Sequence, residues 1–404
     1  MDPRIELPLG VLSLAGLYYG TAQLGHVLHF AGDVAAIVWL PVGIAIAFLY
    51  LGGLRFWPGV VVGDLLTNSY TGLPAGSAVG QAFGNLLEVV IAVYLMRRLI
   101  RDGRPLGSIS GLAKMLVAIA AGTAVSATIG LLSLRLGNVV TTPALPRLWR
   151  TWWLGDTTGA LLLVPLALAW FPPPPREWLR AHALEGALVI AAIAALSELT
   201  LRNNHPLAYV VFPALIWAAL RLGTRGATAA VVAAAGFAMW ATTHYVGPFA
   251  YHSITHSILA TQLYIGIASL ASLALAVVAS ERENFAAQLQ ASRVRLVQTA
   301  DSERQRLERN LHDGAQQRLT ALAVRLGISA EEADTNPNTA SAALNRAQQE
   351  LLISIDELRE LAHGIHPSVL TRFGLKTAAA EIAARSAVPT ELTGLPSVRL
   401  DDTA

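Results

Sequence analysis

Cysteine is absent from the 404 residues, which excludes disulfide scaffolds, thiolate metal sites and cysteine nucleophiles. Charge is scarce: Asp, Glu, Lys and Arg make up 14% of the chain, against about a quarter in soluble domains. The formal net charge is only +2, and no Lys/Arg block lies beside aromatic residues. Direct nucleic-acid binding is therefore not expected. What stands in place of charge is apolar bulk, with 54% hydrophobic residues and a mean hydropathy of +0.50. The distribution is uneven. The first 280 residues hold 25 of the 56 charged side chains and the last 124 hold 31. A lipid-embedded body followed by a soluble tail is expected, with the boundary near Ser280.

A bilayer core requires about 20 apolar residues per helix. Apolar segments run near 7–30, 34–52, 56–70, 76–96, 111–134, 150–171, 183–201, 206–220, 226–246 and 257–279. The third is short and carries Pro58, Asp64 and Asn68, which suits a re-entrant or partial segment, so eight to ten spans are expected. The N-terminal run follows Arg4 without a small-residue cleavage site and reads as an uncleaved first span. Connections after even-numbered segments hold Arg55, Arg97, Arg98, Arg101, Arg104, Lys114, Arg176, Arg180, Arg221, Arg225 and Arg282. The opposite connections hold Arg135, Arg147, Arg150 and Arg202. That bias predicts both termini on the cytoplasmic side.

Asp64, Asn68, Asn85, Glu88, Asp156, Glu198 and His244 interrupt the apolar segments. Ionisable groups in lipid are costly unless paired or wet, which makes them functional candidates. Each also has a plain alternative, a bond to a neighbouring helix or a place near a headgroup. Asp64, Glu88 and Asp156 lead as sensor or ligand candidates, because glycine and aromatic neighbours allow close helix approach there. Without cysteine there are no thiolate ligands, and no metal site is expected.

Six patterns in this region carry a resemblance. They are Trp39-Leu40-Pro41-Val42-Gly43-Ile44-Ala45, Arg55-Phe56-Trp57-Pro58-Gly59, Gly84-Asn85-Leu86-Leu87-Glu88, Trp152-Trp153-Leu154-Gly155-Asp156 with Pro165, Pro213 with Trp217 and Arg221, and Gly247-Pro248-Phe249. In this order, over most of residues 7–280, they resemble the first-type membrane-associated sensor domain of bacterial signalling proteins. The resemblance implies a polytopic sensory module, usually of eight spans, attached to a kinase or a cyclic-dinucleotide enzyme.

Beyond Ser280, residues 281–330 lack proline. Apolar positions recur at Leu296, Ala300, Leu307, Leu311, Ala315, Leu319, Leu322 and Leu326, mostly at helical spacing. This stripe runs almost directly out of the last span, which predicts a rigid helical connection. Asp334, Asn336 and Pro337 mark a loop, and a second helix is expected from about Ala340 to Gly364. Its Leu351, Ile355, Leu358, Ala362 and Ile365 form a heptad seam. Two such helices cannot bury both stripes alone, and a homodimeric four-helix bundle can. The fold expected is therefore all-α: a polytopic transmembrane helix bundle, then a two-helix cytoplasmic hairpin. The domains expected are a membrane sensor over 1–280, a signalling helix over 281–298, a dimerisation and phosphoacceptor domain over 299–370, and a linker over 371–404.

The run Glu303-Arg304-Gln305-Arg306-Leu307-Glu308-Arg309-Asn310-Leu311-His312-Asp313-Gly314-Ala315-Gln316-Gln317 carries the chemistry. His312 falls one residue, about 100°, off the apolar stripe, at the edge of such a bundle. Phosphoryl transfer to imidazole needs a free nitrogen lone pair, and an adjacent carboxylate can hold the other ring N–H. Asp313 suits that role, and Gln317 suits the orientation of a water for hydrolysis. Taken singly, His312 would be an ordinary surface histidine. In context, Glu-Arg-x-Arg, Leu-His-Asp and the glutamine five positions after the histidine resemble the phosphoacceptor helix of histidine kinases that pair with NarL-type response regulators. Glu357-Leu358-Arg359-Glu360-Leu361-Ala362 and Ile365-His366-Pro367 extend the likeness over residues 299–395. The resemblance implies that His312 is phosphorylated, that Asp313 is its base and that Gln317 supports dephosphorylation. It also implies ATP and Mg²⁺ in the complete kinase, a homodimer and a response-regulator partner. His363 and His366 read as structural.

An ATP-binding domain needs about 100 residues or more, and only 30 follow Gly374, without an Asp-x-Gly-x-Gly loop. This chain alone is thus expected to lack ATP-dependent activity. Two other readings are a transporter with a regulatory tail and a non-catalytic dimeric scaffold. The first finds no internal repeat to support it, and neither gives His312 a task.

Overall fold

The computed structural model describes residues 3–27, 37–67, 72–101, 103–202, 208–335, 341–342, 345–353, 355, 376–377, 379–380, 383 and 392, with side chains at these positions except 3–5, 26–27, 201–202, 304, 307–315, 329 and 332–335. Among them every regular element is helical: α1 (Pro3–Val27), α2 (Leu40–Gly52), α3 (Pro58–Thr67), α4 (Ala75–Leu99), α5 (Ile109–Leu136), α6 (Leu145–Trp170), α7 (Arg176–Arg202), α8 (Phe212–Arg221), α9 (Gly223–Thr243) and α10 (Ile254–Thr335), with short 3₁₀ turns between some of them. The chain divides into two compact units, Met1–Ala287 and Gln288–Ala404.

Among the described residues six helices are long and apolar enough to cross a membrane: Ala75–Leu99, Ile109–Leu136, Thr142–Trp170, Arg176–Thr200, Gly223–Thr243 and Ile254–Glu303. The expected segments at 34–52 and 206–220 fall short of full spans, and the segment at 56–70 is short, in keeping with a partial segment. They contribute helices of 13, 10 and 10 residues, roughly 20 Å or less at 1.5 Å per residue, short of a hydrocarbon core of about 30 Å. Backbone turns set these limits. Gly53 follows α2 at φ +116° and returns its N–H to Leu49 O. The guanidinium of Arg97 on α4 donates to the carbonyls of Leu49 and Tyr50 at 2.9 and 2.7 Å. A cation there both satisfies orphan carbonyls and complements the negative helix end.

Small residues bring the helices of the first unit together, as van der Waals packing in lipid demands. On α4, Gly80 faces Ser133 and Gly84 faces Ser126 and Ile129 of α5, while Gly122 of α5 lies under the Glu88 carbonyl. Gly59 and Gly63 seat α3 against Leu14 and Tyr18 of α1. Gly43 of α2 meets the Gly159 carbonyl of α6, and a Cβ on Gly159 would lie 2.1 Å from the Trp39 carbonyl oxygen. The Trp39 N–H in turn donates to Gly155 O at 3.1 Å. One apolar core gathers Leu14, Val42, Ile46, Val89, Met96, Met115, Ile119 and Val164; a second gathers Ile37, Leu162, Ile193, Leu215, Val231 and Ile265. Gln262 of α10 joins distant segments, its Nε2 donating to Ile37 O at 2.9 Å and Thr151 O at 3.0 Å.

In the second unit α10 continues as unbroken helix to Thr335, and residues 345–353 are again helical. The two stretches meet: Ala347 is buried, and Arg325 and Glu350 form an ion pair. Leu351 and Ile355 of the expected seam lie among the described residues, whereas Leu358, Ala362, Ile365, His363 and His366 lie outside them.

Candidate functional site

Asp64, Glu88 and Asp156 come from three helices, α3, α4 and α6, and the fold brings them into one buried cluster. Their exposures are 2%, 1% and 3%. Asp64 Oδ1 accepts from Asn85 Nδ2 at 2.8 Å and from Tyr18 OH at 3.3 Å. Asn85 Oδ1 accepts from Ser126 Oγ at 3.1 Å. Asn85 and Glu88 are three residues apart on α4, which puts them on one face. Glu88 meets the Asp156 carboxyl within hydrogen-bond reach, with Ser126 beside it and Asp64 close enough for its charge to be felt. Trp152, one turn before Asp156 on α6, hydrogen-bonds Asp156. Glu88 Oε2 and Asp156 Oδ2 are buried without a hydrogen-bond partner.

The remaining polar candidates fall elsewhere. Glu198 is exposed near the end of α7, and His244 is exposed at the end of α9, its Nδ1 2.8 Å from Trp240 O. Both fit the plain reading of helix-end residues. Asn68 lies outside the described residues. Tyr18 and Ser126 were not anticipated. Each is an isolated hydroxyl on an apolar helix, and nothing in linear sequence sets it apart from the other hydroxyls. Among the described residues no three His, Cys, Asp or Glu side chains group so as to hold a metal ion.

His312 and Asp313 lie on the helical backbone of α10, with side chains outside those described. Gln317 is exposed, and the helix puts it four residues beyond Asp313, on the same face. Glu303 and Arg306 form an ion pair at 3.0 Å one to two turns earlier. The apolar stripe is open: Leu296, Leu319 and Leu326 are exposed and Leu322 half-buried.

Residues 9–283 match the MASE1 family model. The chain belongs to the MASE1 family. Behind its MASE1 region, residues 303–370 match the HisKA_3 family of histidine kinases, so both resemblances read from the sequence hold, and with six candidate spans the chain is a multi-pass membrane protein. The sensor histidine kinase MctS of Rhizobium johnstonii is 34% identical over 98 residues, which cover 24% of this chain and 21% of MctS. The probable diguanylate cyclase DgcE of Escherichia coli K12 is 27% identical over 206 residues, 47% of this chain and 17% of DgcE. The MASE1 chain thus spans about a fifth of the length of these curated relatives. No solved structure matches it.

Proposed function

We propose that this chain is the sensory and phosphoacceptor portion of a two-component sensor histidine kinase. One observation carries the proposal: the match of residues 303–370 to a histidine-kinase family on the helix that also supplies the last apolar span. Within it, His312 takes the phosphoryl group, Asp313 orients the imidazole and accepts its proton, and Gln317 positions water for the reverse hydrolysis. The domains divide as 1–280, 281–298, 299–370 and 371–404. The Asp64–Glu88–Asp156 cluster lies in the input domain. A likeness over 206 residues to a protein named as a probable diguanylate cyclase supports sequence shared with a second kind of output protein.

A histidine kinase draws its phosphoryl group from ATP with Mg²⁺. Residues 1–404 do not carry the expected nucleotide loop, and the donor is held by an ATP-binding domain outside them. Two copies form the four-helix bundle, the receiver is a response regulator of the NarL type, and the chain sits in a bacterial inner membrane with both termini cytoplasmic. The excess of Lys and Arg in alternate connections supports that orientation.

The test is phosphotransfer in trans. Purified chain is mixed with labelled ATP and the ATP-binding domain of a homologous kinase, beside His312→Gln. Acid-labile label on the normal chain and none on the variant is expected. A folded dimer that takes no label would return the chain to the scaffold reading.

A further inference from the structure

The three-carboxylate cluster is unevenly satisfied. Asp64 and Asn85 are tied into a chain of donors from Tyr18 to Ser126. Glu88 Oε2 and Asp156 Oδ2 have no donor at all, although both side chains are nearly inaccessible and their carboxyls are in hydrogen-bond contact. The charged groups acting on Glu88 are Asp156 and Asp64, both acidic. Asp156 faces Glu88 and the neutral Trp152, and Tyr18 faces Asp64. Two carboxylates in contact inside a membrane domain repel, and one O–H between the carboxyls removes that repulsion and supplies a donor to the pair.

We propose that Glu88 and Asp156 together hold one exchangeable proton. Both α4 and α6 pack on α2 and α5, and the protonated pair adds a direct bond between them. Losing the proton sets two negative charges against each other at that contact, so proton occupancy sets how closely α4 and α6 approach. The MASE1 region thereby carries a proton site as well as a helix scaffold. This inference concerns the membrane unit and stands or falls independently of phosphotransfer at His312.

Infrared spectroscopy of the full chain in lipid nanodiscs near neutral pH tests it. The wild type is expected to show the carbonyl-stretch band of a protonated carboxylic acid, shifted in D₂O. The band is lost in Glu88→Gln and in Asp156→Asn, where the amide supplies the missing donor and leaves its partner ionised. It is retained in Glu198→Gln, which alters an exposed carboxylate. Absence of the band in the wild type, or its persistence in both amide variants, overturns the proposal. So does a band that vanishes when sodium is added at constant pH, which would assign the contact to a metal cation. Circular dichroism and elution volume check that the variants fold. Should neither fold, Glu88→Asp and Asp156→Glu decide: the band must shift in at least one of them, and a band unmoved in both sinks the idea.

Discussion

In the unit Met1–Ala287 the side chains of Asp64, Glu88, Asp156 and Gln262 are almost wholly buried, whereas in Gln288–Ala404 the side chains of Leu319, Val324 and Ile353 are more than half exposed. One unit hides polarity and the other displays apolar surface. Lipid offers no hydrogen bonds, so a polar group inside a membrane unit must find its partner in the same chain. Tyr18, Asp64, Asn85 and Ser126 do this across four helices. Water has the opposite requirement, and a contiguous apolar stripe on a soluble helix marks a surface that another surface covers. The first unit therefore supplies its own core, and the second supplies half of one.

The sharpest way to break this contrast is to charge the stripe. Leu319→Asp together with Leu322→Asp would bury unpaired carboxylates in both copies of the bundle. With the proposed bundle, light scattering in detergent should report dimer for the parent chain and monomer for the variant, a loss of at least about 100-fold in association, or roughly 2.8 kcal/mol. Dimers of unchanged strength would remove the stripe from the interface. Overpacking tests the other unit next. Gly159→Leu drives a side chain into the Trp39 carbonyl, and such insertions cost about 1–3 kcal/mol, so thermal unfolding in detergent should come several degrees earlier.

Smaller is the effect of cutting the polar chain. Asn85→Ala takes a donor from Asp64 and an acceptor from Ser126; interhelical hydrogen bonds in membranes are worth about 0.6–2 kcal/mol, and the unfolding midpoint should fall accordingly. Smallest is Arg325→Ala, which removes an exposed ion pair with Glu350. Pairs of that kind contribute about 0–1 kcal/mol, and the melting curve of the second unit should hardly move. A large shift there would show that the hairpin relies on charge rather than on its apolar seam.

What was legible beforehand follows the same division. Hydropathy located most apolar segments, because composition averaged over about 20 residues is what it measures. It missed the brevity of α2 and α8, because a helix end can be set by one residue: Gly53 at φ +116° closes α2, and Gly223 at φ +62° separates α8 from α9. Averages do not register a single dihedral. Asp64, Glu88 and Asp156 stood out because charge is rare in apolar runs, yet their meeting depends on helix order and rotation, which no local window contains. Tyr18 and Ser126 were invisible for the same reason. Helical periodicity was enough for α10, since an uninterrupted helix needs no long-range information. His312 was legible from its neighbours in the chain, and the geometry of its side chain was not.

The amide of Gln262 reaches Ile37 O across 225 positions of the chain. Ile37 precedes α2 and is buried outside any helix, so its carbonyl cannot close an intrahelical bond. During synthesis that carbonyl must wait until α10, the last helix of the membrane unit, has left the ribosome and entered the bilayer. The first part of the unit is made early and finished late. A chain cut anywhere before Gln262 would leave the Ile37 carbonyl without this donor, which makes completion of the membrane unit a checkpoint passed only as the later part of α10 begins to emerge.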